Sequence, residues 1–182
     1  MKTTLLSLAL LIALTNFAQP VYMTRTGQIS FYSKTPMENI DAINNEVTSM
    51  INPATGELVF AILIKSFRFE RALMEEHFNE NYMESDKFPK ATFSGKISNL
   101  GNIDFTKNGN YPTRVEGELT IHGVKKVITS PGIINISGDK VTATSTFPLH
   151  LADFNITIPS LVADKISETV EVKVNCEYQP KK

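Results

Sequence analysis

Residues 115–127 read VEGELTIHGVKKV, and this stretch carries the strongest signal for the fold. From Val115 to Ile121, apolar or small residues alternate with charged or polar ones, which is the pattern of a β-strand with one buried face. The pair His122-Gly123 follows, and glycine tolerates the tight backbone of a turn. Val127 and Thr129 then resume the pattern. The stretch therefore predicts two strands joined by a tight turn.

The same period of two recurs through most of the chain. Further stripes lie at Ile29–Phe31, Val47–Ile51, Leu58–Ile64, Ala91–Ile97, Val141–Leu149, Phe154–Ile158 and Val170–Cys176. Phe67 and Phe69 have the opposite parity to the stripe before them, so we expect a bulge or bend near Lys65-Ser66. About eight or nine such strands predict an all-β domain, either an antiparallel barrel or a sandwich, and periodicity alone does not choose between the two.

Two segments depart from the strand pattern. Arg71–Tyr82 places Leu73, His77 and Phe78 at helical spacing, which predicts one short helix that ends before Phe88-Pro89. A further turn of helix is predicted within Met37–Ile43. The domain is thus expected to carry one or two short helices.

The N-terminus has the features of a secretion signal. Lys2 is followed by an uncharged apolar run from Leu5 to Leu14, and Ala18 is a small residue at the expected cleavage point. The run is shorter than the roughly 20 residues of a membrane anchor. We therefore predict a signal peptide at 1–18 and a domain at 19–182, located in the periplasm or outside the cell, with no stable membrane insertion after cleavage.

Charge and cysteine content restrict the function further. The 182-residue chain has a formal net charge of −1, which gives no general reason to bind nucleic acid. Its single cysteine, Cys176, cannot form an internal disulfide, so packing must supply the stability of the domain. Cys176 lies on the inward face of the last stripe and is expected to be a buried, unreactive thiol.

No catalytic constellation stands out. The three histidines, His77, His122 and His150, have no partner at metal-ligand spacing, and the sequence contains neither HExxH, CxxC nor GxSxG. We expect His77 to pack where the helix meets the barrel and His122 to be half exposed in a turn. No metal, no cofactor and no enzymatic activity are predicted.

The eleven phenylalanines, with no tryptophan, leave two interpretations open. They could fill the core of a sandwich. Alternatively, a closed barrel of about eight strands has room for one elongated apolar ligand, and burial of each methylene contributes about 0.8 kcal/mol.

Three short segments resemble a known family. They are His77-Phe78 on the predicted helix, the FPKATF stretch at Phe88–Phe93, and GELTIHGVKK within the stretch quoted first. In this order and spacing they resemble the YceI-like family, and the resemblance extends from about Ile29 to Tyr178. It implies a lipocalin-like antiparallel β-barrel that is secreted to the periplasm and holds a polyisoprenoid or similar long-chain lipid. It implies no cofactor and no catalysis, and it leaves a homodimer open.

One segment departs from the family pattern. Familiar members often carry Arg-x-[DE]-[FW]-G late in the barrel, whereas this chain has His150–Ile156 there, with no Arg and no Gly. The departure leaves the identity of the lipid and the contacts of its head group open.

Parity identifies the residues expected to line the barrel and contact the ligand. They are Phe31, Phe60, Ile62, Phe67, Phe69, Phe78, Phe93, Leu119, Ile121, Phe147, Leu149, Phe154 and Val172. A one-residue slip in register would turn any of them to solvent. Two alternatives remain beside the lipid-binding barrel: a structural or interaction module with a filled core, and a lipid-modifying enzyme that uses His77 with Glu76 or Asp86.

Overall fold

A computed structural model describes residues 20–181. Its strands are β1 (Tyr22–Lys34), β2 (Asn39–Ile51), β3 (Glu57–Leu63), β4 (Arg68–Phe69), β5 (Lys90–Ile97), β6 (Gly109–Ile121), β7 (Val124–Ser137), β8 (Lys140–His150) and β9 (Thr169–Pro180). One α-helix, α1 (Ala72–His77), continues as a wider π-helical turn through Tyr82. The predicted signal peptide at 1–18 lies outside the described residues. Among residues 20–181, no helix combines the length and apolarity that crossing a bilayer requires.

Hydrogen bonding closes the sheet into a barrel. The strand order is β1-β9-β8-β7-β6-β5-β3-β2, and β1 also pairs with β2, so the eight long strands form a continuous antiparallel ring. The two-residue β4 pairs with β2 beside the ring. The predicted all-β barrel is therefore confirmed, and the sandwich is wrong. A closed ladder leaves no unpaired strand edge among these strands.

Two local predictions are wrong. Met37–Ile43 does not form a turn of helix, because Asn39 already begins β2 and pairs with Lys34 of β1. Phe154–Ile158 is not a strand, because the chain leaves β8 at His150 and enters a 3-10 turn over Leu151–Phe154. Asn155 then adopts a left-handed backbone conformation, with φ of 55°, which no strand can continue. Strand pairing thus overrode a weak helical signal in the first segment, and a change of backbone conformation ended the alternation in the second.

The predicted break near Lys65-Ser66 is confirmed. A 3-10 turn spans Ile64–Ser66, and it lets Ile64 and Phe67 both point into the barrel although they are three residues apart. The Phe67 ring therefore reaches the interior despite its opposite parity.

A glycine pair fixes the position of one aromatic ring. Gly95 of β5 and Gly117 of β6 are direct partners across the ladder. A Cβ atom on Gly117 would lie 2.4 Å from the Gly95 Cα and 2.7 Å from the Phe93 ring. The ring of Phe93 thus lies over both glycines, which leaves no room for a side chain at either position.

Gly117→Ala should lower the free energy of unfolding by about 1–3 kcal/mol, because the new methyl group meets backbone atoms that cannot move aside. Urea denaturation measures the change. Gly101→Ala is the matched control, since a Cβ atom there has nothing within 4 Å, and its effect should stay within about 0.5 kcal/mol. Equal effects at the two sites would contradict the close approach of β5 and β6.

Candidate functional site

The barrel contains a cavity of about 540 Å³. It opens at the end that carries α1, the β1–β2 turn and the segment after β8, where Glu38, Arg71, Leu73, His77 and Lys165 line it. We call this end the mouth. At the opposite end, the rings of Tyr22 and Phe105 are buried and stack with their centroids 6.0 Å apart.

Twelve of the thirteen residues predicted to line the barrel do line the cavity. They are Phe31, Phe60, Ile62, Phe67, Phe69, Phe78, Phe93, Leu119, Ile121, Phe147, Leu149 and Val172. They come from six of the eight ring strands, from β4 and the residue before it, and from the helical segment at Phe78. The period-two pattern placed those on the ring strands, and the contact of all twelve with a ligand stays a prediction.

Phe154 is the exception, and its placement corrects the sequence-based prediction. It ends the 3-10 turn after β8 and is 2% exposed, but it does not line the cavity. Its carbonyl oxygen accepts a hydrogen bond from Nδ1 of His122 at 3.2 Å. Ile156, two residues further along, reaches the cavity instead. The 3-10 turn followed by the left-handed Asn155 broke the alternation on which the prediction rested.

Four phenylalanines form one wall of the mouth. Phe78 contacts Phe31, Phe67 and Phe69 with ring centroids 5.5, 5.6 and 5.0 Å apart. We call these four residues the aromatic cluster. Such offset and edge-on contacts add about 0.5–1.5 kcal/mol per pair to the burial of the rings. The cluster holds the helical segment Ala72–Tyr82 against the barrel.

Two ion pairs support the same segment. Arg68 bonds Glu75 on α1 at 2.8 Å, and Arg71, which precedes α1, pairs with Glu38 of the β1–β2 turn. Both pairs are partly solvent-exposed, so each contributes little to stability. Their effect is geometric, because they position the helix beside the mouth.

The structure differs from the prediction at His77. His77 is exposed at the mouth and is not packed between helix and barrel as predicted. Asp86, a partner considered for it, is engaged by Lys65 at 2.6 Å. Among residues 20–181, no three His, Cys, Asp or Glu side chains converge as metal ligands.

His122 is more buried than predicted, with 11% of its side chain exposed. Its Nε2 atom lies 2.8 Å from the Glu84 carboxylate, and its ring meets Phe88 edge-on at 4.7 Å. Together with the bond to Phe154, these contacts tie the β6–β7 turn to the two loops beside it.

Fully buried side chains fill the barrel beneath the cavity. Tyr178, Cys176 and Val141 are 0% exposed, and we call this layer the floor. The Tyr178 hydroxyl lies 2.7 Å from Oγ of Ser49, which donates to the Val59 carbonyl at 2.8 Å. Burial raises the pKa of the Cys176 thiol to about 11 and that of the Tyr178 hydroxyl well above its usual range. The thiol is therefore neutral and buried, as predicted.

Sequence reasoning missed some of the lining. Ile29, Val115 and Val174 share the inward parity of the predicted stripes, and that signal could have found them. On β7 the predicted stripe was on the wrong face, because Val127 is 73% exposed and Ile128 and Ile134 line the cavity. Sequence reasoning also missed the hydroxyl side chains Thr113, Ser130 and Ser145, which lie in a largely apolar part of the lining. A polar residue inside an apolar stripe was the available signal.

Fold and cavity together define a class: a closed, lipocalin-like β-barrel with an internal binding cavity. The family described as YceI-like domain matches residues 23–178. The chain belongs to this YceI-like family, as its motifs at Phe88–Phe93 and 115–127 indicated.

Solved structures share the fold. A polyisoprenoid binding domain from Saccharophagus degradans, implicated in plant cell wall breakdown, superposes with a TM-score of 0.77 at 17% identity, over 89% of this chain and 99% of that one. BcnA of Burkholderia cenocepacia gives 0.68 at 20% identity, over 84% and 95%. The Campylobacter jejuni YceI protein gives 0.63 at 19% identity, over 78% and 85%. None of the curated proteins matches the chain.

The floor makes the protein sensitive to alkali. The unfolded chain ionises its thiol near pH 9, whereas the native thiol stays neutral until about pH 11. This contribution to stability is therefore complete below about pH 9 and is lost as the pH rises toward 11. Urea denaturation at pH 8, 9, 10 and 11 should show a steeper fall for the wild type than for Cys176→Ala/Tyr178→Phe. Parallel curves for the two proteins would contradict this account.

Phe78→Ala should release the helical segment, because it removes the ring that contacts the other three of the aromatic cluster. We expect the opening free energy of amides in Ala72–Tyr82 to fall by about 2 kcal/mol, measured by hydrogen exchange. Leu73→Ala is the control on the same helix, since Leu73 is 60% exposed, and it should change protection little. Unchanged protection in Phe78→Ala would show that the cluster does not hold the segment.

Proposed function

We propose that this protein is an exported carrier that holds a polyisoprenoid or other long-chain lipid inside its barrel. The observation that supports this most strongly is the apolar cavity of about 540 Å³, closed by the floor and open at the mouth. Its volume equals that of about eighteen water molecules in the liquid, and methylene groups are of similar size. The space therefore suits one elongated chain.

The energy of binding comes from apolar burial. About ten methylenes transferred from water into the cavity would contribute about 8 kcal/mol, which corresponds to a dissociation constant in the micromolar range. Ordering of the flexible chain reduces this value, and further buried carbons increase it. Charged side chains lie at the mouth, so they do not oppose entry of a hydrocarbon chain into the interior.

The comparisons support the same ligand class. The solved domain from Saccharophagus degradans is described as polyisoprenoid binding, and its fold matches over 89% of this chain. Membership of the YceI-like family extends that support to residues 23–178. The apolar run from Leu5 to Leu14 supports export. A carrier in the periplasm would keep a water-insoluble chain in a dry interior while it moves between membranes.

The open interior weighs against a filled-core interaction module, since Phe60, Phe93, Leu119 and Phe147 all line space. An enzyme acting on the bound lipid would need converging polar groups, and Asp86 is bonded to Lys65 rather than to His77.

Ala143→Phe tests the proposal by filling the inner part of the cavity, which Ala143 lines on β8. The wild-type protein, purified natively and extracted with organic solvent, should yield close to one long-chain lipid per chain by mass spectrometry. Ala143→Phe should retain about one-tenth of that amount or less, because the new phenyl ring occupies space that several methylenes of the lipid would otherwise fill. It should also favour shorter chains.

Ala61→Phe is the matched control, since Ala61 is exposed on the outer face of β3. It should carry as much lipid as the wild type. Absence of lipid from the wild-type extract, or full retention of lipid by Ala143→Phe, would contradict the proposal.

A further inference from the structure

Three hydroxyl side chains lie together on one wall of the cavity. Thr113 on β6, Ser130 on β7 and Ser145 on β8 all line it. Thr113 is the direct ladder partner of Gly132, and Gly132 is the direct partner of Ser145. We call Thr113, Ser130 and Ser145 the hydroxyl patch. It is the one polar area on the inner wall, away from the mouth, among the cavity-lining residues that the structure describes.

The two serines use their protons within the wall. Oγ of Ser145 donates to the Pro131 carbonyl at 2.6 Å, and the hydroxyls of Ser130 and Ser145 lie 2.8 Å apart. Oγ of Ser130 also lies 3.2 Å from the Pro131 carbonyl oxygen, so its proton is directed to that carbonyl or to the Ser145 oxygen. Both serine protons are therefore used within the wall, and Ser130 keeps a lone pair free toward the cavity.

Thr113 provides a free donor. It is 8% exposed, and no side-chain hydrogen bond found within residues 20–181 includes its hydroxyl. Asn79 Oδ1 is the one fully enclosed side-chain N or O atom without a partner in that range, so the Thr113 oxygen is open to the cavity. Gly132 leaves the space beside it open, because a Cβ atom there would come within 3.1 Å of the Thr113 oxygen. A hydrocarbon that fills the cavity would cover this hydroxyl and leave it without a partner, which is unfavourable. A ligand oxygen at this point would avoid that cost.

The patch lies near the inner end of the cavity. On β7 the cavity lining ends at Ile134, and the next inward residue, Ile136, belongs to the filled part of the barrel. On β8 it ends at Ala143, next to Val141 of the floor. A chain that enters through the mouth therefore brings its leading end to the level of the patch.

We propose that the hydroxyl patch is a binding subsite for an uncharged oxygen, an alcohol or a carbonyl, at the end of the lipid that enters first. This inference rests on the proposed function and names the class of lipid. The Thr113 hydroxyl donates to the ligand oxygen, and Ser130 accepts from the ligand when it is an alcohol. The charged groups of the lining, Glu38, Arg71 and Lys165, all lie at the mouth. A phosphate or carboxylate at the patch would be a buried, unpaired charge and is excluded.

The test compares two branched twenty-carbon probes, phytol, which ends in an alcohol, and phytane, the hydrocarbon without the oxygen. Dissociation constants are measured by displacement of a fluorescent fatty acid from delipidated full-length protein. Thr113→Val removes the donor and keeps the shape of the side chain. The dissociation constant of phytane divided by that of phytol should fall about fivefold in Thr113→Val. A change of this size corresponds to the loss of one hydrogen bond to the alcohol.

Val174→Ala is the control at the same level of the wall, since Val174 is the ladder partner of Ser145 and lines the cavity. It should weaken both probes and leave the ratio unchanged. If both probes bind and Thr113→Val leaves the ratio unchanged, the subsite is overturned while the lipid-binding function stands. If neither probe displaces the fatty acid and the natively purified protein carries no lipid, the proposed function falls and the subsite falls with it.

Discussion

Closure of the hydrogen-bonded ladder is the constraint on which the rest of the structure depends. Because β1 pairs with both β2 and β9, every inward side chain of the eight long strands must share one interior. A ring of eight strands is wide enough either to be filled by its own side chains or to hold one small ligand, so closure makes a cavity possible without requiring it. Buried side chains fill the half of the barrel around Tyr178 and Val141, whereas the half toward α1 contains the cavity. The fold therefore permits the cavity, and its lining is what the sequence controls.

Local features then shape that cavity. The glycine pair Gly95 and Gly117 lets the Phe93 ring lie flat against the wall, so a large side chain occupies little of the lumen. The aromatic cluster adds apolar surface at the mouth and anchors the only α-helix in the described part of the chain. His122 joins the β6–β7 turn to Glu84 and Phe154. The aromatic cluster and the contacts of His122 help to keep the mouth end of the barrel in place around the cavity.

Most of this arrangement could be predicted from period-two patterning, because inward and outward positions are fixed once a strand is assigned. Phe31, Phe147 and Val172 were placed correctly for this reason. The pattern failed where backbone conformation broke the alternation, as at Phe154, where a 3-10 turn followed by the left-handed Asn155 replaces the expected strand. It also failed at Met37–Ile43, where pairing with β1 overrode a weak helical signal.

Closure itself, and with it the choice of barrel over sandwich, depends on contacts between β1 and β9 that no local pattern contains. The hydroxyl patch was overlooked because each hydroxyl is unremarkable alone and becomes informative only when three strands bring them together.

Lipid binding in the barrel is tested most directly by a crystal structure of the protein purified natively, followed by one of the same protein after delipidation. We expect elongated electron density along the cavity in the first structure, in contact with Phe60, Phe93 and Phe147. In the second structure we expect an open cavity of about 540 Å³ with the same side-chain rotamers. The contradicting result is an interior filled in both structures by these phenylalanines turned toward one another, with no density between them.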